Sequence, residues 1–302
     1  MFKHIIISVL MFALCPAGMA QTKVVVVPMF DENKYPDPFS PVQHVSPLHS
    51  NYFIHSNRVV DEVTGLTWQR EIAPFTLNWD NAWRYCWELT IGDLDQWRLP
   101  EPNELISIVD FNERAPSINV NAFPGTNFVS PYWTSQFTSN FMVPDPSLAQ
   151  VLAVDFQTGG MFRYSPLAGM RVRCVHGRSA SRGAVMRDEG NGTIYDMATG
   201  LTWQQGHQSS RDWSEATEYC DTLTLGGTNN WRVPNPKELI SVADYRDPYM
   251  IHSVAWFSGL GSFIWSAQTN ESNTLEAWVM NNRAGGVYGW PKTSNASVRC
   301  VH

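Results

Sequence analysis

The sequence predicts two tandem α+β domains in an exported chain. Three observations carry this prediction. A series of motifs occurs twice in the same order, each series holds helix-start signals beside a short strand pattern, and each owns two cysteines. The duplication is direct. TGLTWQR (64–70) lies over TGLTWQQ (199–205), YWTSQ (132–136) over IWSAQ (264–268), and VRCVH at 172–176 recurs at 298–302. The period is about 135 residues, far longer than a solenoid repeat, so each copy is a whole domain. Small polar residues in GRSASRG (177–183) separate the copies. The organisation read from this is a signal peptide at 1–20, an arm at 21–50, a first domain at 51–177, a linker at 178–189 and a second domain at 190–302.

The N-terminus has a short positive region at Lys3 and His4, an apolar stretch from Ile5 to Leu14, and small residues Gly18 and Ala20 before Gln21. That is the pattern of a secretory signal peptide rather than a structural helix. Leu14 stands where a lipoprotein signal needs a small residue, so Cys15 is not read as a lipid anchor. No second apolar run is long enough to span a bilayer. Residues 21–50 combine the apolar run Val24–Val27 with a proline-rich stretch, which predicts an extended arm.

In the second copy, DWSEATEYCDTL opens a helix with Asp212 as N-cap and Glu215 three residues on, a capping box. Trp213, Ala216, Cys220 and Leu223 recur at helical spacing, and Trp79, Ala82, Trp83, Cys86 and Leu89 do so in the first copy. The early cysteine therefore belongs to the buried face of a helix. PNPKELISVADY starts a second helix, with Asn235 as N-cap, Pro236 at the first helical position and Glu238 at the third.

The matching stretch of the first copy reads Glu101-Pro102-Asn103, the tripeptide with which calcium-dependent lectins hold mannose-type sugars. A calcium site needs several oxygen ligands on an open loop. Here Pro102 suits a helix start, and the other copy places Lys237 where Asn103 stands. The helix start is the preferred reading.

Removing the leader leaves Cys86, Cys174, Cys220 and Cys300, and an even count in an exported chain predicts disulfides. The duplication selects Cys86–Cys174 and Cys220–Cys300, which keeps each bridge within one copy. Each would close a loop of about 80–90 residues, worth on the order of 4–5 kcal/mol in the chain-entropy model. The late cysteines lie in RVRCV and SVRCV, short strand patterns.

The ordered set TGLTWQ, W-x-x-A-x-x-x-C, WR[LV]P-x-P-x-EL, YW[TS] and VRCV resembles the bacterial family named after the C-terminal domain of the Legionella collagen-like adhesin. The resemblance covers nearly all of 58–177 and 190–302. It implies a C-type-lectin-like fold, with two helices on a small, mostly antiparallel sheet, long irregular loops and one disulfide per copy. Strands are expected at 59–61, 66–69, around Trp133, at 151–156 and at 171–175, with counterparts beginning near Ile194. Loops at 111–131, 137–149, 246–262 and 269–275 differ between the copies, and such loops on a rigid frame are where binding residues collect.

WRLP before a helix and a late VRC are also similar to formylglycine-generating oxidases, but these need reactive copper-binding cysteines. With four cysteines assigned to bridges, no sulfur remains for that chemistry. His176 and His302 match between copies without any metal-type spacing, and no glycine-rich phosphate loop occurs. Glu104 and Glu238 recur as helix caps beside Arg98 and Arg232, so a glycosidase pair is not favoured. No catalytic residue, metal or other cofactor is assigned.

The formal charge is −7, or −8 without Lys3, which argues against nucleic acid as a partner. Basic residues nevertheless gather late in each copy, including Arg163, Arg171, Arg173, Arg283, Lys292 and Arg299. The expected function is non-catalytic recognition of a glycan or of an envelope or surface protein. Tyr132, Phe137, Phe141, Phe257, Phe263 and Trp290 are candidates for stacking, and Arg163, Arg283 and Lys292 for anion contact. A structural role in an envelope assembly, with the protein as an oligomer, is the alternative. Trp68, Trp203, Trp97 and Trp231 are expected in the core.

Overall fold

The computed structural model describes residues 52–137, 149–177, 186–197, 199–243, 257, 262–282 and 285–302. The signal peptide, the arm, most of the linker, Phe141 and Arg283 lie outside the described residues. The first copy contains β1 (Tyr52–Ile54), β2 (Arg58–Asp61), β3 (Thr67–Gln69), α1 (Trp79–Glu88), α2 (Pro102–Ser107), β4 (Tyr132–Phe137), β5 (Val151–Val154), β6 (Met161–Tyr164) and β7 (Val175–His176). The second contains β8 (Met186–Asp188), β9 (Thr193–Asp196), β10 (Thr202–Gln204), β11 (Gln208–Arg211), α3 (Trp213–Thr222), α4 (Pro236–Ser241), β12 (Phe263–Thr269), β13 (Glu276–Asn281), β14 (Val287–Pro291) and β15 (Ala296–Val298). The class is α+β and the pairing mostly antiparallel. Residues 186–188, placed in the linker by the sequence, instead pair with β9, and Met186 is buried there.

Local chemistry explains the helix starts. Asn78 accepts a bond from the Asn81 N–H at the head of α1. Asp212 and Glu215 form the expected capping box on α3, as do Asn235 and Glu238 on α4. Glu101-Pro102-Asn103 opens α2. The Glu101 N–H donates to Glu104 Oε2 at 2.7 Å, and Arg98 grips the same carboxylate with two bonds of 2.7 Å. Arg232 and Glu238 repeat this fork in the second copy.

The bridges are Cys86–Cys174 and Cys220–Cys300. Each sits with the buried alanine of its helix in a core of its own. Ala82, Cys86, Trp97, Trp133, Val172 and Cys174 pack under α1, and Ala216, Cys220, Trp231, Trp265, Val298 and Cys300 pack under α3. Trp83, which its spacing placed with this buried stripe, is instead 46% exposed. One residue past Ala82 is about 100° around the helix, far enough to leave the core face.

The copies are joined, which the sequence did not predict. One sheet runs β11-β15-β12-β13-β14-β6-β5-β4 through both. Its seam is the antiparallel pairing of Met161 in β6 with Val287 in β14. These are equivalent positions. Each follows a tight hairpin that ends in two glycines, closed by Asp155 N to Gly160 O in one copy and by Asn281 N to Gly286 O in the other, both at 2.8 Å. A Cβ on Gly286 would lie 2.5 Å from the Met161 carbonyl oxygen, and one on Gly160 would lie 3.2 Å from the Val287 carbonyl oxygen. The strands cross closely because neither residue has a side chain.

Below this seam a third core belongs to both copies. It holds Trp68, Leu105, Ile106, Phe111, Phe123 and Phe156 from the first, and Trp203, Leu239, Ile240, Phe257, Trp278 and Met280 from the second. Phe111 meets Trp278 edge-to-face at 5.2 Å. Phe111, Ile118, Ala122 and Phe123 of the 111–131 loop are buried in this packing, whereas Val120, Phe128 and Val129 of the same loop stay exposed.

Candidate functional site

Strand alternation brings the second copy's ring candidates together. Phe263 of β12 and Trp290 of β14 stack with centroids 4.7 Å apart, and Tyr288 meets Phe263 edge-on at 6.0 Å. All three rings are half-buried. Trp213, the first residue of α3, packs against the same core as these rings and is fixed by a bond from its indole N–H to Ser266 O at 2.9 Å. Lys292 follows β14 and places Nζ 4.5 Å from the Trp213 ring while donating to Thr269 Oγ1 at 2.9 Å. The result is a ring-lined surface with one cation held at its border.

The first copy builds the same corner differently. Trp79 donates to Thr134 O at 2.9 Å and meets Phe137 at 4.5 Å. Pro166 there accepts the bond from the Trp79 N–H that Lys292 accepts from Trp213, so the first copy has no cation at this point.

The other candidates are placed elsewhere. Tyr132 is fully buried, with its hydroxyl accepting from the Asn127 N–H at 2.9 Å. It presents no ring face to a ligand, because the sheet is covered on both sides at β4. Phe257 is likewise buried and lies under the Arg299 guanidinium at 4.3 Å. Arg163 is half-buried on β6, near the Tyr288 hydroxyl across the seam.

Two of the clustered arginines are not surface groups. Arg173 donates to Gln69 O at 2.7 Å and Arg70 O at 2.6 Å, and Arg299 donates to the carbonyls of Gln204 and Gln205. Burial pushes them down to about 10 and about 9 respectively. Each ties the closing segment of its copy to the strand bearing Trp68 or Trp203.

The seam adds two open clefts that the sequence reading missed. One, of about 430 Å³, lies between Thr158 and Phe162 of the first copy and Asn270, Glu276, Trp278 and Tyr288 of the second. The other, of about 620 Å³, lies between Asn112–Arg114 and Glu271–Thr274. Glu276 is held by Asn270 and Asn273, each donating at 3.0 Å. Nothing in NESNTLE marks these residues as neighbours of the other copy.

Lys237 also lies at the seam. Its Nζ donates to Ser107 O at 2.8 Å, and burial pushes the ammonium down to about 8 against the opposing pull of Asp110 and Asp61. Asp61 caps its own turn through Val63 N at 2.9 Å, and desolvation raises it. Among the described residues, no three His, Cys, Asp or Glu side chains gather as metal ligands would, and no helix is long and apolar enough to cross a membrane.

A comparison with curated proteins finds no match. The family model described as the Lcl C-terminal domain matches twice, over residues 57–176 and 192–302. These two matches coincide with the two bridged copies, and the chain belongs to the Lcl C-terminal domain family.

Proposed function

We propose that the chain is an exported recognition protein, built from two C-type-lectin-like copies, that binds acidic glycans at a cell envelope or surface without transforming them. The observation that carries this reading is the assembly of Phe263, Trp290 and Lys292 at one corner of the second copy. Rings of this kind accept the C–H faces of a sugar, and the adjacent ammonium selects a sulfate or carboxylate. Two bridges closed within the chain fit an oxidising compartment. Glu104 and Glu238, the acids that recur at the helix starts, are each taken up by an arginine, which supports binding over glycoside hydrolysis.

Retention on immobilised heparin and dextran sulfate at two salt concentrations tests the reading. Retention should weaken at the higher salt, and Lys292→Ala and Trp290→Ala should each reduce binding several-fold. If the wild-type protein is not retained on any sulfated or carboxylated glycan, the ligand class assigned to this corner is wrong.

A further inference from the structure

Helix α1 carries a second feature that the packing does not use. Trp83 and Trp87 are one turn apart, 46% and 63% exposed, and stacked with centroids 5.5 Å apart and planes within 8°. The fold does not need them. The same helix in the second copy, aligned through Trp79 with Trp213 and Cys86 with Cys220, has Thr217 and Asp221 at these positions and keeps the same cap type, buried alanine and bridge.

We propose that this indole pair is a binding site for a neutral pyranosyl oligosaccharide, independent of the acidic-glycan site of the second copy. The rings use one face on each other, and their remaining exposure lies on outer faces and edges. A pyranose offers a face of weakly positive C–H groups that suits the negative face of an indole. Its equatorial hydroxyls need hydrogen-bonding groups around the ring, and exposed Asp80, Arg84 and Glu88 flank the pair on the same helix.

Size separates this occupant from a protein. About half of each indole is open, roughly 250–300 Å² in all, whereas a stable protein interface needs about 800 Å² from each partner. The helix face beside the indoles is charged rather than aliphatic, so the apolar area does not extend to that scale.

The test is affinity electrophoresis of the full chain in native gels cast with hydroxyethyl cellulose, glucomannan or dextran. The wild type should be retarded by at least one of these neutral polymers. Trp83→Thr with Trp87→Asp, the residues of the second copy, should reduce retardation about tenfold or more, while Trp290→Ala leaves it unchanged. Far-UV circular dichroism confirms that the double variant is folded. Absence of retardation in all three polymers, or equal retardation of the double variant, overturns the proposal. So does sedimentation showing a wild-type dimer that the double variant abolishes, since the patch would then join two copies of the chain. Heparin retention is read separately, so that failure at one site does not stand for failure at the other.

Discussion

Helices α1 and α3 are the same device with different outer faces. Each opens at an N-cap carboxyl or amide oxygen, buries one alanine and one bridged cysteine, and anchors a tryptophan indole to a strand carbonyl. Outside that frame they diverge. α1 shows a pair of indoles where α3 shows a threonine and an aspartate, and α3 is followed by a lysine-bordered aromatic corner that α1 lacks. The interior of each copy was held by packing and a covalent bridge, while the surface was free to differ. A duplicated frame carrying two unlike surfaces is better suited to two ligands than to doubled affinity for one.

The three cores make the same distinction internally. Those under α1 and α3 belong to single copies, but the one containing Phe111 and Trp278 belongs to both. The largest effect that separates these cases should come from Trp278→Ala. Emptying an aromatic site in a shared core costs about 3–5 kcal/mol, read from urea unfolding. Amide exchange should then accelerate in β5 as well as in β13, and protection lost from the second copy alone would mean that the seam transmits little.

A smaller effect lies at Lys237, which has Asn103 as its counterpart and so makes the seam asymmetric. Its folded value of about 8 is below that of an unfolded lysine, so the unfolded chain binds more protons between the two values. Stability from this residue therefore rises with pH across that window. Relative to Lys237→Met, the wild type should gain about 2–3 kcal/mol between pH 8 and pH 10.5, and parallel pH profiles would remove Lys237 from the seam's electrostatics.

The smallest effect is expected from Trp83→Thr with Trp87→Asp. Exposed positions without buried partners change stability by about 0.5 kcal/mol or less, so the melting temperature should hardly move. A large drop would place the indoles in the structural frame rather than at a ligand surface.

The features that could be read in the sequence were those fixed by local chemistry or by duplication. Capping residues and Pro236 marked the helix starts, and recurrence of Cys86 and Cys174 as Cys220 and Cys300 gave the bridges. Trp68, Trp97, Trp203 and Trp231 are buried as expected. The site was less legible. Tyr132 and Trp133 point to opposite faces of β4, yet both are fully buried, because this sheet has a core on each side. Alternation therefore cannot say which ring is exposed. Trp83 followed the helical repeat closely enough to be counted with the buried stripe. The seam left no local sign, since the contact of Met161 with Val287 depends on two hairpins more than a hundred residues apart. Phe263, Trp290 and Lys292 were nominated separately from loops and charge, and only the fold shows them as one corner.

The central claim is that two copies with unlike surfaces form one body around a shared core. Differential scanning calorimetry of the oxidised full chain tests it most directly. A single transition, with calorimetric and van't Hoff enthalpies in agreement, is the predicted result. Two separable transitions, with Trp278→Ala shifting only one of them, would show the copies to be independent and contradict the claim.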